Sequence, residues 1–161
     1  MKKLLYILKD RRGNMTFFAV TLVLVLSIIF AGIFEYVRVY TIANTVKTAI
    51  QRDLKSTVIQ AAKDSFQSVK QYSLSSPVVS RDTLENNICS DLGLVKQGNS
   101  FNCISKKTTK FNIENPVLTY TAGSTLILTY TFSLKIPVYF IGKQIETANI
   151  PMTLNATYQF K

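Results

Sequence analysis

The hydrophobic and polar positions of this chain change their pattern twice. From Gly13 to Phe34 the chain has no charged residue over twenty-two positions, and Leu, Val, Ile and Phe dominate. A helix of about 20 apolar residues satisfies its own backbone hydrogen bonds and crosses the roughly 30 Å apolar layer of a bilayer. A helix that is apolar on every face over this length is typical of a membrane span. We therefore predict a transmembrane helix over residues 13–34.

Beyond Phe34 the apolar residues recur every three or four positions, and no proline or glycine interrupts residues 37–72. This spacing puts them on one face of a helix, so we predict an amphipathic stalk helix over residues 35–72 that continues the span. The alternative to one straight helix, which would extend about 90 Å, is a bend or break near the membrane surface. The stripe consists of Val39, Ile42, Val46, Ala49, Ile50, Leu54, Val58, Ala61, Ala62, Phe66 and Val69.

The rest of the chain, residues 73–161, indicates a β-rich domain with one short helix. Ser73–Pro77 ends the stalk with residues that favour turns. Ser80 can cap a helix that runs to about Leu92. A loop with two glycines follows, and a short strand is expected over residues 101–105.

From Phe111 the apolar and polar positions alternate, which is the period of a strand with one buried face. We predict an antiparallel meander over residues 111–121, 125–140 and 145–160, with even-numbered side chains of the last two strands facing the core. Prolines should lie at edges, bulges or breaks, because proline cannot donate to the ladder; they are Pro116, Pro137 and Pro151. The predicted fold class is α+β: an N-terminal transmembrane helix, extended by a long amphipathic helix that packs on a small antiparallel sheet.

The charges beside the predicted span orient it. The tail, residues 1–12, carries five basic residues and one acid, and basic flanks stay on the cytoplasmic side of a membrane. We expect a single-pass protein of the cell membrane with a cytoplasmic N-terminus and an extracellular or periplasmic C-terminal domain. A cleaved secretory signal has the same basic start but a shorter apolar core and a small-x-small cleavage site. Phe34-Glu35-Tyr36 provides no such site.

The net charge of +10 does not indicate a nucleic-acid partner. Beyond residue 34 the chain has fourteen bases and eight acids, spread thinly along it. A nucleic-acid surface would need a denser basic stripe with exposed aromatic residues. The partner that the pattern predicts is the lipid bilayer.

Two cysteines lie in the domain predicted to be outside the membrane, where disulfides persist. A bond between Cys89 and Cys103 would close a loop of 15 residues, worth roughly 3 kcal/mol in the chain-entropy model. We predict this structural disulfide, with free thiols as the alternative.

No constellation in the sequence predicts catalysis, a metal or a cofactor. The chain has no histidine, so Ser-His-Asp and Cys-His arrangements are excluded, and two cysteines are too few for a typical zinc site. The few glycines form no phosphate-binding loop. We expect a protein that is not an enzyme.

One acid is conspicuous, because Glu35 stands directly at the outer end of the predicted span, with Arg38 one turn further. One interpretation is an interfacial ion pair that marks the membrane boundary. The other is a contact with a partner subunit or an assembly protein at the edge of the bilayer, where charge is costly.

The N-terminal third resembles a known family. Arg12-Gly13, the charge-free span, and then Gly32-Ile33-Phe34-Glu35-Tyr36-Val37-Arg38-Val39-Tyr40 before an Ala/Val-rich helix resemble the TadE-like family. Its members are minor pilins or pseudopilins of tight-adherence (Flp-type) pili and related type IV pilus-like secretion systems. The resemblance covers about residues 11–52, and the remainder has only the general outline of a pilin.

The resemblance implies processing and assembly. A prepilin peptidase would cut the matching bond, Gly13–Asn14. Glu35, Tyr36 and Arg38 match the end of the family's motif, and other pilin-like subunits or assembly proteins become expected partners. Family members usually carry a glutamate a few residues after the glycine, whereas this chain has none between Asn14 and Phe18.

Close packing between spans in a bilayer relies on small and polar residues; the candidates are Ser27, Ala31 and Gly32. Two other functions remain open. One is a membrane-anchored domain that senses or binds a ligand outside the membrane. The other is an accessory of a secretion or conjugation channel that never polymerises.

Overall fold

The computed structural model describes residues 11–70, 79–105, 108–122, 125–140 and 142–159. A long N-terminal helix packs on a five-stranded antiparallel sheet, which confirms the predicted α+β class. The elements are α1 (Arg11–Lys70), α2 (Arg81–Leu92), β1 (Leu94–Gln97), β2 (Ser100–Ser105), β3 (Thr108–Thr121), β4 (Thr125–Phe140) and β5 (Lys143–Gln159).

Helix α1 is continuous over 60 residues. The helix is therefore not broken near the predicted membrane surface. Its first half holds the one helix segment in the described chain that is long and apolar enough to cross a membrane, with a mean hydropathy of 2.8 and no buried residue in that window. Hydroxyls in this half bond back to the helix itself: Thr21 donates to the Phe17 carbonyl at 2.9 Å and Ser27 to the Val23 carbonyl at 2.8 Å.

The second half of α1 packs along one stripe, as predicted. Its buried apolar residues recur mostly at steps of three and four positions; they are Val46, Ile50, Leu54, Val58, Ala61 and Ala62. All of them except Ala62 belong to one core that also includes residues of α2 and of a single face of the sheet. The hydrophobic effect therefore holds the domain to the helix along several turns of α1.

Helix α2 begins and ends as the sequence indicates. The Ser80 side chain accepts a hydrogen bond from the Thr83 N–H at 3.3 Å, and Gly93 ends the helix with φ +61°, a conformation that glycine adopts without strain.

The loop expected after Gly93 is in fact a hairpin, so that expectation was wrong. β1 pairs with β2, and the pair Gln97↔Ser100 encloses a two-residue turn whose first residue, Gly98, has φ +60°. Two-residue hairpin turns favour glycine at this position. The dipeptide Gly98-Asn99 was the signal that could have revealed β1.

The sheet is a meander in the order β1-β2-β3-β4-β5, with every neighbouring pair antiparallel. The alternation predicted for β4 is confirmed from residue 126 to residue 136, where the buried side chains are Leu126, Leu128, Tyr130, Phe132, Leu134 and Ile136. Beyond this point it fails, because Pro137 is buried while Val138 and Phe140 are only half-buried. In β5, Leu154 and Ala156 are buried on the same face.

The three prolines lie where the ladder does not need their missing N–H. Pro116 is in a register shift between β3 and β4, next to Asn115 with φ +50°. Pro137 lies in the part of β4 beyond its last pair with β3, Asn112↔Lys135. Pro151 is on the edge strand β5.

Some predictions fall outside the described residues. These are the structure of the tail before Arg11, the end of the stalk near Tyr72, the turn over Ser73–Pro77, and most of the turn between β3 and β4.

The predicted disulfide is not present, because Cys89 and Cys103 are free thiols. The Cys103 Sγ lies 3.8 Å from the Leu92 carbonyl oxygen at the end of α2. Burial, and then the nearby Glu85 carboxylate, raise the pKa of the Cys89 thiol. Both side chains pack against the core as small half-buried groups.

Candidate functional site at Glu35 and Arg38

The end of the β4–β5 hairpin meets α1 where the charge-free run stops. β3 pairs with β4 only as far as Lys135, so beyond that residue the hairpin continues as two strands. Its last pair is Phe140↔Lys143. We call Tyr139, Phe140, Gly142, Lys143, Gln144 and Ile145, the described residues around this end, the hairpin tip.

Glu35 and Arg38 join α1 to this hairpin. Arg38 Nη2 lies 2.6 Å from Glu35 Oε1, and Arg38 Nε donates to Glu35 Oε2 at 2.9 Å, which makes a bidentate pair. The Tyr139 backbone N–H donates to Glu35 Oε1 at 2.7 Å, and Arg38 Nη2 also donates to the Pro137 carbonyl. We call these two side chains, with their bonds to Pro137 and Tyr139, the Glu35–Arg38 clamp.

The clamp combines several attractive contacts in one small region. The Arg38 guanidinium carbon lies 5.3 Å from the centre of the Tyr139 ring, a cation–π distance. A bidentate pair is stronger and geometrically more specific than a single charged hydrogen bond. Because each charge has its partner and extra hydrogen bonds, the pair can stand at the edge of an apolar layer where a lone charge would be costly.

An apolar cleft of about 370 Å³ lies beside the clamp. Val39 and Tyr36 line it from α1, and Val138, Phe140 and Ile145 line it from the hairpin. Gly32 lines it as well, and no atom lies within 4 Å of where a Cβ would stand on that glycine. The cleft therefore adjoins the last turn of the charge-free run.

The structure brings some predicted site residues together and separates others. Glu35, Tyr36 and Arg38 all lie at the clamp or its cleft. Among the small residues proposed for packing between spans, Gly32 faces the hairpin of its own chain, and Ala31 is half-buried. The Ser27 hydroxyl is bonded within its own helix. Gly13 and Asn14 lie in the first turns of α1, far along the helix from the clamp.

A second charged cluster, which sequence reasoning missed, ties α2 to the sheet. Glu85 is buried and accepts from Arg81 Nε at 2.5 Å and from Lys96 Nζ at 2.7 Å. Burial raises the pKa of Glu85, but the hydrogen bonds from Lys96 and Arg81 outweigh it, so the pKa lies below its ordinary value. Arg81 also donates to the Pro116 carbonyl at 3.0 Å and so provides a hydrogen-bond partner for a backbone oxygen at the bulge in β3.

A third cluster joins α1 to α2 and was missed as well. Asp53 is buried, and its Oδ2 has no hydrogen-bond partner among the described residues. Burial, and then the neighbouring Asp91 carboxylate, raise the pKa of Asp53 to about 6, although Arg52 opposes the shift. The signal for this position was present in the sequence, because Asp53 falls between Ile50 and Leu54 on the buried stripe.

These clusters connect elements of the fold. Among the described residues, no three side chains of the His, Cys, Asp and Glu types lie close enough to hold a metal ion. Comparison with known proteins adds no relative: no family model, no curated protein and no solved structure matches this chain.

Proposed function

We propose that this chain is a non-enzymatic, single-pass membrane subunit of the TadE-like kind, acting as a minor pilin or as an assembly component of a pilus or secretion system. The observation that carries the proposal is α1 itself. One uninterrupted helix of 60 residues has an apolar, unburied first half and a second half packed on a small sheet. A subunit that first resides in a bilayer and then joins a bundle of similar helices needs one apolar half for the bilayer and the bundle and a second half that carries the folded domain.

The proposed mechanism is physical. In the membrane, lipid covers the large apolar side chains of the first half of α1. During assembly, the same side chains would exchange lipid for other pilin-like spans, an association that rests on close packing rather than on the hydrophobic effect. The sheet would stay fixed to the second half of α1 and present its outer face to neighbouring subunits.

The expected topology follows from the basic tail: an N-terminus in the cytoplasm and the α2–β5 domain outside the membrane. Prepilin peptidase is the proposed processing partner, and other pilin-like subunits or assembly proteins are the proposed structural partners. The clusters around Glu35, Asp53 and Glu85 each connect two elements of the fold, which supports a structural role for the buried charges.

Mass spectrometry of the chain purified from the membranes of its native host tests the proposal. We expect a mature protein that starts at Asn14. A Gly13→Leu variant should keep residues 1–13, because the side chain would occupy the peptidase site. Gly32→Ala is the matched control at the other glycine of the span and should be processed normally, since a Cβ there meets no atom within 4 Å.

A wild-type chain that retains Met1 would overturn the pilin version and favour an accessory that never polymerises. A chain that starts beyond Glu35 would overturn the membrane-subunit version altogether, because the span would have been removed as a signal.

A membrane-anchored ligand-binding domain is the second candidate. The observation that favours it is the apolar cleft between Gly32 and Ile145. A soluble apolar ligand in this cleft would have to compete with the bilayer, because the cleft adjoins the end of the span. Retention of an apolar small molecule by the purified chain, and its loss in a Val138→Trp variant that fills the cleft, would support this candidate over the first.

A further inference from the structure

The hairpin tip lies at the level of the membrane boundary. The charge-free run ends at Phe34, and the cleft places Val138, Phe140 and Ile145 against α1 between Gly32 and Val39. Twenty-two helical residues rise about 33 Å, which matches the apolar thickness of a bilayer. The first turn after this run, which carries Glu35 and Arg38, therefore falls among the lipid headgroups, and the hairpin tip falls beside it.

The tip exposes apolar side chains beside the exposed polar residues of its turn, Lys143 and Gln144. Ile145 has 65% of its surface exposed, and Tyr139 and Phe140 are partly exposed. The described residues of the tip carry one charge, the exposed Lys143, and no acid. The exposed Glu146 directly follows the tip and pairs with Val138, two pairs back from the last pair of the hairpin.

The surface of α1 at this level has the same character. Tyr36 and Tyr40 are exposed and stacked, with their ring centres 6.4 Å apart. Aromatic residues with a polar group favour the zone between acyl chains and headgroups. Tyr36 on α1 and Ile145 on the hairpin line the same cleft, so exposed apolar side chains of the helix and of the tip lie close together at this level.

We infer that the hairpin tip docks into the boundary between the acyl chains and the headgroups of the bilayer that holds the span. Phe140 and Ile145 enter the upper acyl region, lipid covers the cleft beside Gly32, and Lys143 meets anionic headgroups. This inference rests on the membrane anchoring in the proposed function. The occupant of the cleft is lipid, because the cleft is continuous with the surface of the span, which lipid already covers.

The docking gives the domain two attachment points on the membrane. A single helix can rotate about its own axis and tilt. The clamp holds the tip on one side of α1. A tip inserted in the headgroup zone would therefore fix the rotation of the domain about the helix axis, and with it the orientation of the sheet relative to the membrane surface. The domain would then present the same edge, β1 or β5, to each neighbouring subunit.

The chain has no tryptophan, so a single introduced tryptophan reports on one position. We would reconstitute the full chain in vesicles of phosphatidylcholine and phosphatidylglycerol, with lipids brominated at shallow or deep acyl positions. Ile145→Trp probes the tip. Tyr120→Trp is the matched control. Tyr120 is also exposed, at 53%, but it lies on β3 and pairs with Leu128, near the end of β4 that is far from the tip. Leu24→Trp probes the middle of the span.

We expect Ile145→Trp to emit at shorter wavelength than Tyr120→Trp and to be quenched most by shallow bromines. Leu24→Trp should be quenched most by deep bromines, and Tyr120→Trp by neither. If Leu24→Trp is quenched while Ile145→Trp behaves like Tyr120→Trp, the docking is overturned and the membrane anchor stands. If Leu24→Trp is unquenched, membrane anchoring fails and the docking fails with it.

Blue-shifted but unquenched emission from Ile145→Trp would also overturn the inference, because protein rather than lipid would then cover the tip. Hydrogen exchange of the Tyr139 amide, compared with that of the unmodified chain, establishes that the clamp is intact in the Ile145→Trp variant.

Discussion

At the scale of single residues, Arg38 has the most consequential contacts. It bonds Glu35 on its own helix and the Pro137 carbonyl on β4, and its guanidinium lies over the Tyr139 ring. Glu35 in turn accepts from the Tyr139 N–H. Two side chains one turn apart therefore hold one end of the hairpin against the helix, and Arg38 bonds both the hairpin and Glu35.

Arg38→Ala should loosen the hairpin tip without unfolding the core. We expect the free energy of unfolding to fall by about 1–3 kcal/mol, since charged hydrogen bonds to two elements are lost. Hydrogen exchange of the Tyr139 amide should accelerate in the detergent-solubilised chain. Lys135→Ala is the control on the same strand, because it breaks the more exposed ion pair with Glu114 and should leave the Tyr139 amide unchanged. Equal exchange rates in the two variants would contradict the clamp.

Asp53 predicts an unusual pH dependence. Its pKa is raised from 3.8 to about 6 in the folded chain, mainly by burial. Between these values the folded state binds more protons than the unfolded state, so stability falls as pH rises. The lowered pKa of Glu85 acts only in more acidic solution, so it does not mask this trend.

We expect the chain to be more stable at pH 5 than at pH 7.5, with about 1–1.5 kcal/mol of this difference attributable to Asp53. Asp53→Asn should abolish most of the difference, as thermal unfolding in detergent at both pH values would measure. Asp64→Asn, on the exposed face of the same helix, is the control and should retain the difference. A pH profile that Asp53→Asn leaves intact would disprove the assignment.

At the scale of elements, the second half of α1 acts as the support on which the sheet is built. The buried stripe of α1, which repeats every 3.6 residues, and the even-numbered face of β4, which repeats every two residues, pack against each other in one core. Two isoleucines on this half of α1 allow the effect of core packing to be measured apart from the effect of helix propensity. Ile50 is fully buried, whereas Ile59 is 44% exposed.

Ile50→Ala should destabilise the domain by about 2–5 kcal/mol, since it removes buried methyl groups and leaves a cavity between helix and sheet. Ile59→Ala makes the same chemical change outside the core and should change stability by less than about 1 kcal/mol. Denaturant unfolding followed by the signal of the sheet measures both. Similar losses in the two variants would mean that the sheet does not pack on this face of α1.

At the scale of the whole molecule, the continuity of α1 would decide how the domain stands relative to the membrane in the proposed single-pass arrangement. A break near Phe34 would let the domain pivot, whereas an unbroken helix carries the direction of the span up to the sheet. The clamp lies near the middle of this helix and holds the hairpin alongside it, which opposes bending there.

Spin labels at Val23 and Ile59, both exposed, measure this continuity. These residues are 36 positions apart, so a straight helix places their backbones about 54 Å apart. We expect a narrow distribution near that distance in lipid nanodiscs, after replacement of Cys89 and Cys103 by serine. A shorter or broad distribution would show a hinge between span and stalk.

Local periodicity made much of the fold predictable. The span, the stripe on α1, α2 with its Ser80 cap, and the alternation of β4 and β5 each depend on neighbours within a few residues. β1 escaped prediction because a four-residue strand is too short to show a period, and only its two-residue turn marked it. The disulfide was predicted from compartment and spacing, but Cys89 and Cys103 are free in the structure.

The sequence by itself determined where apolar surface lies along each element, because that follows from residue order and the geometry of helix and strand. Only the tertiary structure decided which distant groups meet. The Tyr139 N–H that bonds Glu35 comes from a residue 104 positions away, and Asp53 acquires its raised pKa from burial against α2. Such contacts depend on how the hairpin and helices pack together in three dimensions, which no local pattern encodes.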